Sequence, residues 1–109
     1  MSIDLPLLKD AITFLIRIDK QIQGFCLLIP FKDFFELEHL WIDTKLIGKG
    51  IGGQLMNHVI KTIQKQTSEI RVSADPNAEG FYSRYGFIKY ADQKSSPEGR
   101  TIPRMKLKF

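Results

Sequence analysis

Glycines crowd one short segment of the sequence, Ile47 to Gly53, which reads Ile-Gly-Lys-Gly-Ile-Gly-Gly. Glycine lets a backbone turn and approach a ligand closely because no Cβ atom intervenes. An apolar period typical of a helix begins at Ile51, so the unpaired N–H groups and the positive dipole end of that helix would follow the glycines directly. The combination predicts an anion-binding site, most naturally for a pyrophosphate.

The glycine segment meets one common phosphate-binding pattern only formally and another not at all. A Walker A loop ends in Gly-Lys-Ser/Thr, whereas Gln54 follows Gly53 here. The dinucleotide pattern G-x-G-x-x-G is met by Gly48, Gly50 and Gly53, with Asp75 about 20 residues further on. However, five residues separate the preceding strand from the first glycine, and only 34 residues follow Asp75. A dinucleotide-binding module therefore stays an alternative with two objections against it.

The remaining sequence supplies the elements that would position this loop. Runs rich in β-branched and aromatic residues predict strands, and an apolar stripe at helical spacing predicts a long helix after the glycines. The predicted bounds are strands at 12–18, 22–29, 35–42, 69–74, 87–90 and 102–109, helices at 51–63 and 75–85, and a polar loop at 91–100. This order predicts a single α/β domain over residues 1–109, with a mixed, mostly antiparallel sheet, a long central helix and a short second helix.

Three segments occur in an order that matches one known family. Positions 47–52 read Ile-Gly-Lys-Gly-Ile-Gly, close to Gln/Arg-x-x-Gly-x-Gly/Ala, with Ile47 in place of the usual polar residue. Upstream, positions 36–43 read Glu-Leu-Glu-His-Leu-Trp-Ile-Asp. Downstream, positions 77–87 read Asn-Ala-Glu-Gly-Phe-Tyr-Ser-Arg-Tyr-Gly-Phe, close to Asn-x-x-x-Phe-Tyr-x-x-x-Gly-Phe. On these motifs the chain resembles, from about residue 12 onward, the GNAT superfamily of acetyl-CoA-dependent N-acetyltransferases.

The resemblance implies a reaction and the residues that perform it. An amine would attack the thioester carbonyl of acetyl-CoA directly, with no covalent enzyme intermediate and no metal. Because an alkylamine is mostly protonated at pH 7, a base must take its proton. Glu36 and Glu38 are the candidates, since residues two apart on a strand share one face, and the family's catalytic glutamate falls on Glu36. Tyr82 matches the family's general acid, which protonates the departing sulfur.

The resemblance also implies where acetyl-CoA binds. The backbone amides of the glycine segment would hold the pyrophosphate, and the pantetheine arm would pair with the backbone of residues 40–42. Asn77 would contact that arm, although capping of the short helix explains an asparagine there almost as well. The candidate cofactor residues are Leu40, Trp41, Ile42, Gly48, Lys49, Gly50, Ile51, Gly52, Gly53, Asn77, Tyr82 and Arg84.

The net charge of +4 lies entirely in the last 21 residues, which hold six basic and two acidic side chains. Such a segment could meet nucleic acid, an acidic substrate or cofactor phosphates. Its alternation with Met105 and Leu107 favours a solvated strand face, so a nucleic-acid-binding domain is the weaker hypothesis. His39 and His58 have no third ligand at a suitable spacing, and no metal site is expected.

Composition and cysteine use indicate the compartment. The longest apolar run, Phe25 to Phe31, is far shorter than the roughly 20 residues that span a bilayer. No segment resembles a signal peptide. The single cysteine, Cys26, lies within that apolar run, which indicates core packing and a reducing compartment. A cytoplasmic protein with no membrane partner is expected.

The amino-terminal part is shorter than the family pattern. The first family-like strand begins near Ile12, which leaves no room for the strand and two helices that wall one side of the acceptor site. The acceptor pocket would therefore be open or supplied by something else, and a non-catalytic acyl-CoA-binding or partner-regulated module is the main alternative. An apolar sheet face containing Phe14, Ile16, Phe25 and Leu27 would be bare, which predicts a homodimer unless residues 1–11 cover it.

Overall fold

A mixed six-stranded sheet carries two helices on one of its faces. The computed structural model describes residues 11–46, 48–95 and 100–109. In chain order the elements are β1 (Ile12–Ile18), β2 (Gln21–Pro30), β3 (Phe35–Ile42), α1 (Ile51–Ile63), β4 (Glu69–Ser73), α2 (Glu79–Arg84), β5 (Ile88–Ser95) and β6 (Arg100–Lys108). The strands lie in the order β1-β2-β3-β4-β6-β5, and of the neighbouring pairs only β3 and β4 are parallel. The predicted fold class is confirmed.

The hairpin between β1 and β2 turns within two residues. Asp19 and Lys20 have φ angles of 52° and 68°. Positive φ at both central residues is the requirement of a type I′ turn, whose twist matches that of the strands it joins. The turn lies in the break that the sequence leaves between the strands predicted at 12–18 and 22–29.

The core lies between the sheet and the two helices. The predicted stripe of α1 supplies Leu55, Met56, Val59 and Ile63, all buried. They meet alternate residues of the central strands, among which Cys26 is fully buried. Burial of the stripe at a 3.6-residue period holds α1 on this face, which we call the helix face.

The opposite face of the sheet, called the outer face below, is formed by the other set of alternating residues. It includes Leu15, Phe25, Leu27, Glu36, Trp41, Arg71, Arg104 and Lys106. The sequence interpretation placed Phe14 and Ile16 with Phe25 and Leu27 on one bare face. That placement is wrong, because Phe14 and Ile16 pack against the core beneath α1. Alternate residues of β1 point to opposite faces.

The last two strands are longer than the sequence predicts. Residues 91–95 continue β5 and residues 100–101 begin β6, where a polar loop over 91–100 was expected. The polar side chains at 92–94 are exposed, and β5 is an edge strand of the sheet. Edge strands carry charged and polar residues that hide their apolar period, which explains the error. The alternative prediction was that residues 1–11 cover the sheet. All of these residues except Ala11 lie outside the described part of the chain.

Candidate functional site

A gap opens between β3 and β4. Their backbone pairing covers only Phe35 to Leu37 on β3 and ends at the pair Leu37–Val72. β3 nevertheless continues to Ile42, held by β2 on its other side. The far half of β3 therefore has one edge that β4 does not pair.

Backbone hydrogen bonds show which groups face the gap. The N–H of Asp43 donates to the carbonyl of Gln23 on β2 over 2.7 Å. In an antiparallel pair the N–H and C=O groups of successive residues point to alternate sides. Those of Trp41 consequently point to β2, and those of Leu40 and Ile42 point into the gap. Leu40 and Ile42 thus offer donors and acceptors for an extended ligand.

The glycine loop lies at the start of α1. Gly48 and Gly50 have φ angles of 86° and 76°, a conformation that favours glycine. The helical bonding of α1 begins with the N–H of Gln54, which donates to the carbonyl of Gly50 over 3.0 Å. The N–H groups of residues 51–53 lie outside that pattern, and Gly50 has no side chain to cap them. With the exposed Lys49 beside them, these groups form a helix amino terminus of the kind that favours an anion.

Gly52 and Gly53 serve a different purpose from Gly48 and Gly50. A Cβ atom on Gly52 would lie 3.5 Å from the ring of Phe81, and one on Gly53 would overlap the hydroxyl of Tyr85. Both aromatic residues belong to the α2 region. Gly53 therefore allows the amino terminus of α1 to pack closely against α2, whereas a Cβ at Gly52 would make an ordinary van der Waals contact.

Tyr82 is buried on α2. Its ring makes edge-on contacts with Phe81 and Phe87, with centroids 5.4 Å away in both cases. Burial, with a smaller contribution from the neighbouring Cys26 thiol, raises the pKa of Tyr82 to about 12. Burial likewise raises the pKa of Cys26 from 9.0 to about 12. The tyrosine hydroxyl consequently stays protonated at neutral pH and can act as a donor.

Asn77 lies between β4 and α2, in a short 3₁₀ turn formed by Pro76–Ala78. The cap of this turn is Asp75, whose Oδ1 accepts from the N–H of Asn77 over 2.7 Å. Capping therefore does not account for the asparagine side chain, which is exposed. A cavity of about 410 Å³ is lined by Ser73, Ala74, Asp75, Pro76, Asn77, Thr101 and Ile102.

Glu36 lies on the outer face and is bound by an arginine that the sequence interpretation did not single out. Nη1 and Nη2 of Arg104 donate to Oε2 and Oε1 of Glu36 over 2.7 and 3.0 Å. Both side chains are mostly buried, and the carboxylate raises the pKa of Arg104. Arg104 reaches across β4, where its Nη1 also donates to Oγ of Ser73 over 2.7 Å. No local signal reveals such a pair, because its members are 68 residues apart.

Glu38 lies at a β-bulge. Leu27 of β2 pairs with His39 and Leu28 pairs with Leu37, so Glu38 has no partner in the register. The two-residue period that predicts a common face for Glu36 and Glu38 is interrupted at this point. The core side of β3 changes from Phe35 and Leu37 before the bulge to residues 40 and 42 after it.

Two further candidates lie at the surface. Arg84 is exposed in the last turn of α2. The ring of Trp41 is exposed on the outer face beside Phe25, with centroids 6.0 Å apart. The structure thus brings together Ile42, Gly52 and the α2 residues at one end of the gap, while the glutamates and Trp41 lie at β3 on or near the outer face.

Within the described part of the chain, no helix is long and apolar enough to cross a bilayer. The same residues contain no group of three His, Cys, Asp or Glu side chains suited to a metal ion.

Comparison with solved structures identifies the class of fold. An acetyltransferase from Bacillus cereus ATCC 14579 superimposes with a TM-score of 0.82 at 16% identity, over 92% of this chain and 74% of that one. A GNAT family acetyltransferase from Elizabethkingia anophelis with acetyl-CoA bound gives 0.80 at 20%, over 95% and 80%. PaiA N-acetyltransferase from Thermoplasma acidophilum in complex with coenzyme A gives 0.75 at 21%, over 92% and 62%. The fold is that of the acetyltransferases.

The family follows from the sequence itself. The model of the acetyltransferase (GNAT) domain matches residues 5–109. The chain therefore belongs to the GNAT acetyltransferases, as its motifs predict. A comparison with curated proteins finds no match.

Proposed function

We propose that the protein transfers an acetyl group from acetyl-CoA to an amine. The observation that carries the proposal is the free edge of β3 at Leu40 and Ile42, beside the uncapped amino terminus of α1. An extended pantetheine arm can pair with that edge as a further strand would. A pyrophosphate can accept from the N–H groups of residues 51–53, and Lys49 and Arg84 add positive charge near it. Asn77 contacts the arm from the other wall of the gap.

Glu36 is the proposed base. It takes the amine proton directly or through a water molecule as the N–C bond forms. Arg104 occupies one position on each carboxylate oxygen, and an ionised carboxylate has about four acceptor positions, so two stay available. Glu38, exposed at the bulge, is the second candidate for this role.

Tyr82 is the proposed acid. Its hydroxyl gives a proton to the sulfur as the C–S bond breaks, so the leaving group departs as a thiol. The pKa of about 12 keeps this donor loaded throughout the neutral range. The amine ends as an amide, coenzyme A ends as its thiol, and the enzyme forms no covalent bond.

One observation favours a second candidate function, an acyl-CoA-binding module without catalysis. Both carboxylate oxygens of Glu36 are engaged by Arg104, which is the arrangement expected of a structural ion pair. Such a module would use the gap and the glycine loop in the same way, and would leave the outer face to a partner.

A homodimer completes the proposal. Leu15 pairs with Phe25, and Phe25 pairs with Trp41, so an apolar row crosses three strands of the outer face. A second copy would cover this row and could wall the acceptor site. The free, buried Cys26 fits a reducing compartment, the cytoplasm.

The test combines binding with turnover. Acetyl-CoA, coenzyme A, NAD and ATP are compared in a thermal-shift experiment, because a ligand of the folded state raises its stability. Mass spectrometry then follows acetylation of an amine panel. Stabilisation by acetyl-CoA together with an acetylated product supports the transferase. Stabilisation without product on any amine supports the binding module, and stabilisation by NAD alone would overturn both.

A further inference from the structure

Three cations surround one tyrosine on the outer face. The charged groups of Arg71, Arg104 and Lys106 lie 5.8, 5.7 and 5.1 Å from the ring centroid of Tyr90. Nε of Arg104 also donates to the Tyr90 hydroxyl over 3.0 Å. We call these four residues the Tyr90 cluster. Cation–π attraction offsets part of the repulsion among the three charges.

The carboxylates near the cluster are fewer than its cations. Arg104 is paired with Glu36, and Arg71 is paired with Glu69. In the described residues, Lys106 has no carboxylate within ion-pair distance. The cluster therefore retains one positive charge that an external anion could neutralise.

The cluster adjoins the cavity at the end of β4. Arg104 donates to Ser73, and Ser73 lines that cavity. Asp75 is the charged side chain among the cavity's lining residues, so the cavity itself favours a cationic group. A positive cluster beside an acidic cavity matches a molecule that has an anion and an amine at a short separation.

We infer that the Tyr90 cluster binds a carboxylate of the acceptor, so that the acceptor is an amine that also carries a carboxylate. The inference rests on the proposed acetyl transfer and names the class of its second substrate. The loop that holds phosphate groups lies at the helix face, and the gap opens beside it. The acceptor consequently approaches from the outer face, where the cluster lies. The basic excess of the last 21 residues acquires a role here, since Arg104 and Lys106 belong to it.

Matched acceptors test the inference. Glycine is compared with glycinamide, and β-alanine with β-alaninamide, by kcat/KM for acetylation referred to the concentration of unprotonated amine, because the amide members have less basic amines. We expect the wild-type protein to prefer the carboxylate member of a pair by about tenfold, the usual size of one charged hydrogen bond. Lys106→Gln should reduce this preference to less than about threefold. Lys108→Gln is the control on the same strand and face, outside the cluster, and should keep the preference.

A binding measurement separates this inference from the proposed transfer. In the presence of coenzyme A, the same pairs are titrated in a thermal-shift experiment, where the carboxylate member should stabilise the wild type more than Lys106→Gln. This result, with no acetylated product on any amine of the panel, supports the cluster and sinks the transferase. Equal behaviour of the two members, or a preference that survives Lys106→Gln, overturns the inference. Salt-sensitive binding of single-stranded RNA that Lys106→Gln abolishes, with no carboxylate preference, would overturn it in favour of phosphate backbone recognition.

Discussion

The two faces of the sheet are built for binding in different ways. On the helix face the proposed ligand groups are backbone groups, namely the N–H groups of residues 51–53 and the free edge at Leu40 and Ile42. On the outer face they are side chains, with Glu36 and Arg104 at the centre of a charged network. A backbone site depends on chain geometry. It therefore tolerates a side-chain change such as Ile47 in place of the family's usual polar residue. A side-chain site changes with every substitution, so under the proposed function the outer face would set the choice of acceptor.

Tyr82→Phe gives the largest effect that we expect on the helix face. Turnover should fall about 100-fold or more, the contribution of a general acid, because the lost hydroxyl acts on the leaving sulfur. Affinity for acetyl-CoA should change little, since the ring contacts with Phe81 and Phe87 persist. Calorimetry and steady-state kinetics measure the two quantities. Wild-type turnover in this variant would remove Tyr82 from the chemistry.

Glu36→Gln tests the outer face with a similar effect on turnover, tens of fold or more for loss of a general base. Steady-state kinetics at saturating acetyl-CoA and amine measure this loss. Arg104 loses its ionic partner in the same variant, so Glu36→Gln with Arg104→Gln is the control. It is compared by kcat at saturating acceptor, because Arg104 also belongs to the Tyr90 cluster. A base role predicts that the double variant stays slow. Recovery of activity in the double variant would mean that Glu36 serves only to neutralise Arg104.

Gly50→Val tests whether acetyl-CoA binding depends on the backbone geometry at the start of α1. Gly50 has φ 76°, and a Cβ there would meet no protein atom within 4 Å. The substitution is therefore expected to act through backbone strain and not through a steric clash. Strain of about 1–3 kcal/mol should distort the start of α1 and weaken acetyl-CoA binding by about ten- to 100-fold. Gly80→Ala is the matched control, since Gly80 is helical and also has open space around it. Unchanged affinity in a folded Gly50→Val protein contradicts the assignment.

Gly52→Val refines the same test. The sequence alone predicts that this variant blocks the ligand, whereas the structure directs its side chain toward Phe81. Weaker binding is still expected, but a lower melting temperature should accompany it.

The smallest effect is expected from the apolar row of the outer face. Leu15→Lys should weaken a homodimer about tenfold or more, because it places a charge in an apolar contact. Ile88→Lys is the control, since Ile88 is an exposed apolar residue on the opposite edge strand. Sedimentation across a concentration series measures the association. A wild-type protein that stays monomeric throughout would rule out the dimer.

The same contrast explains how much the sequence could predict. The glycine loop and α1 were predictable because both depend on local signals, glycine spacing and a 3.6-residue stripe. The Asp75 cap could also have been found, since an acceptor side chain followed by proline is typical of a helical start. The bulge at Glu38 and the pair between Glu36 and Arg104 could not, because they depend on strand register and on the order β3-β4-β6.

The reactivity of Cys26 can report how often the core of the protein opens. Alkylating reagents attack the thiolate, and burial, which raises the pKa of Cys26 from 9.0 to about 12, makes that form much rarer in the folded protein below pH 9. Reagent therefore reacts mainly with molecules whose core has opened, and the labelling rate reports how often β2 separates from α1. The same shift adds stability that is fully present below pH 9 and is lost as the pH rises toward 12, because the unfolded chain ionises first. Comparing the labelling rate of Cys26 with and without acetyl-CoA would then show whether a ligand bound at the gap between β3 and β4 slows the opening of the core.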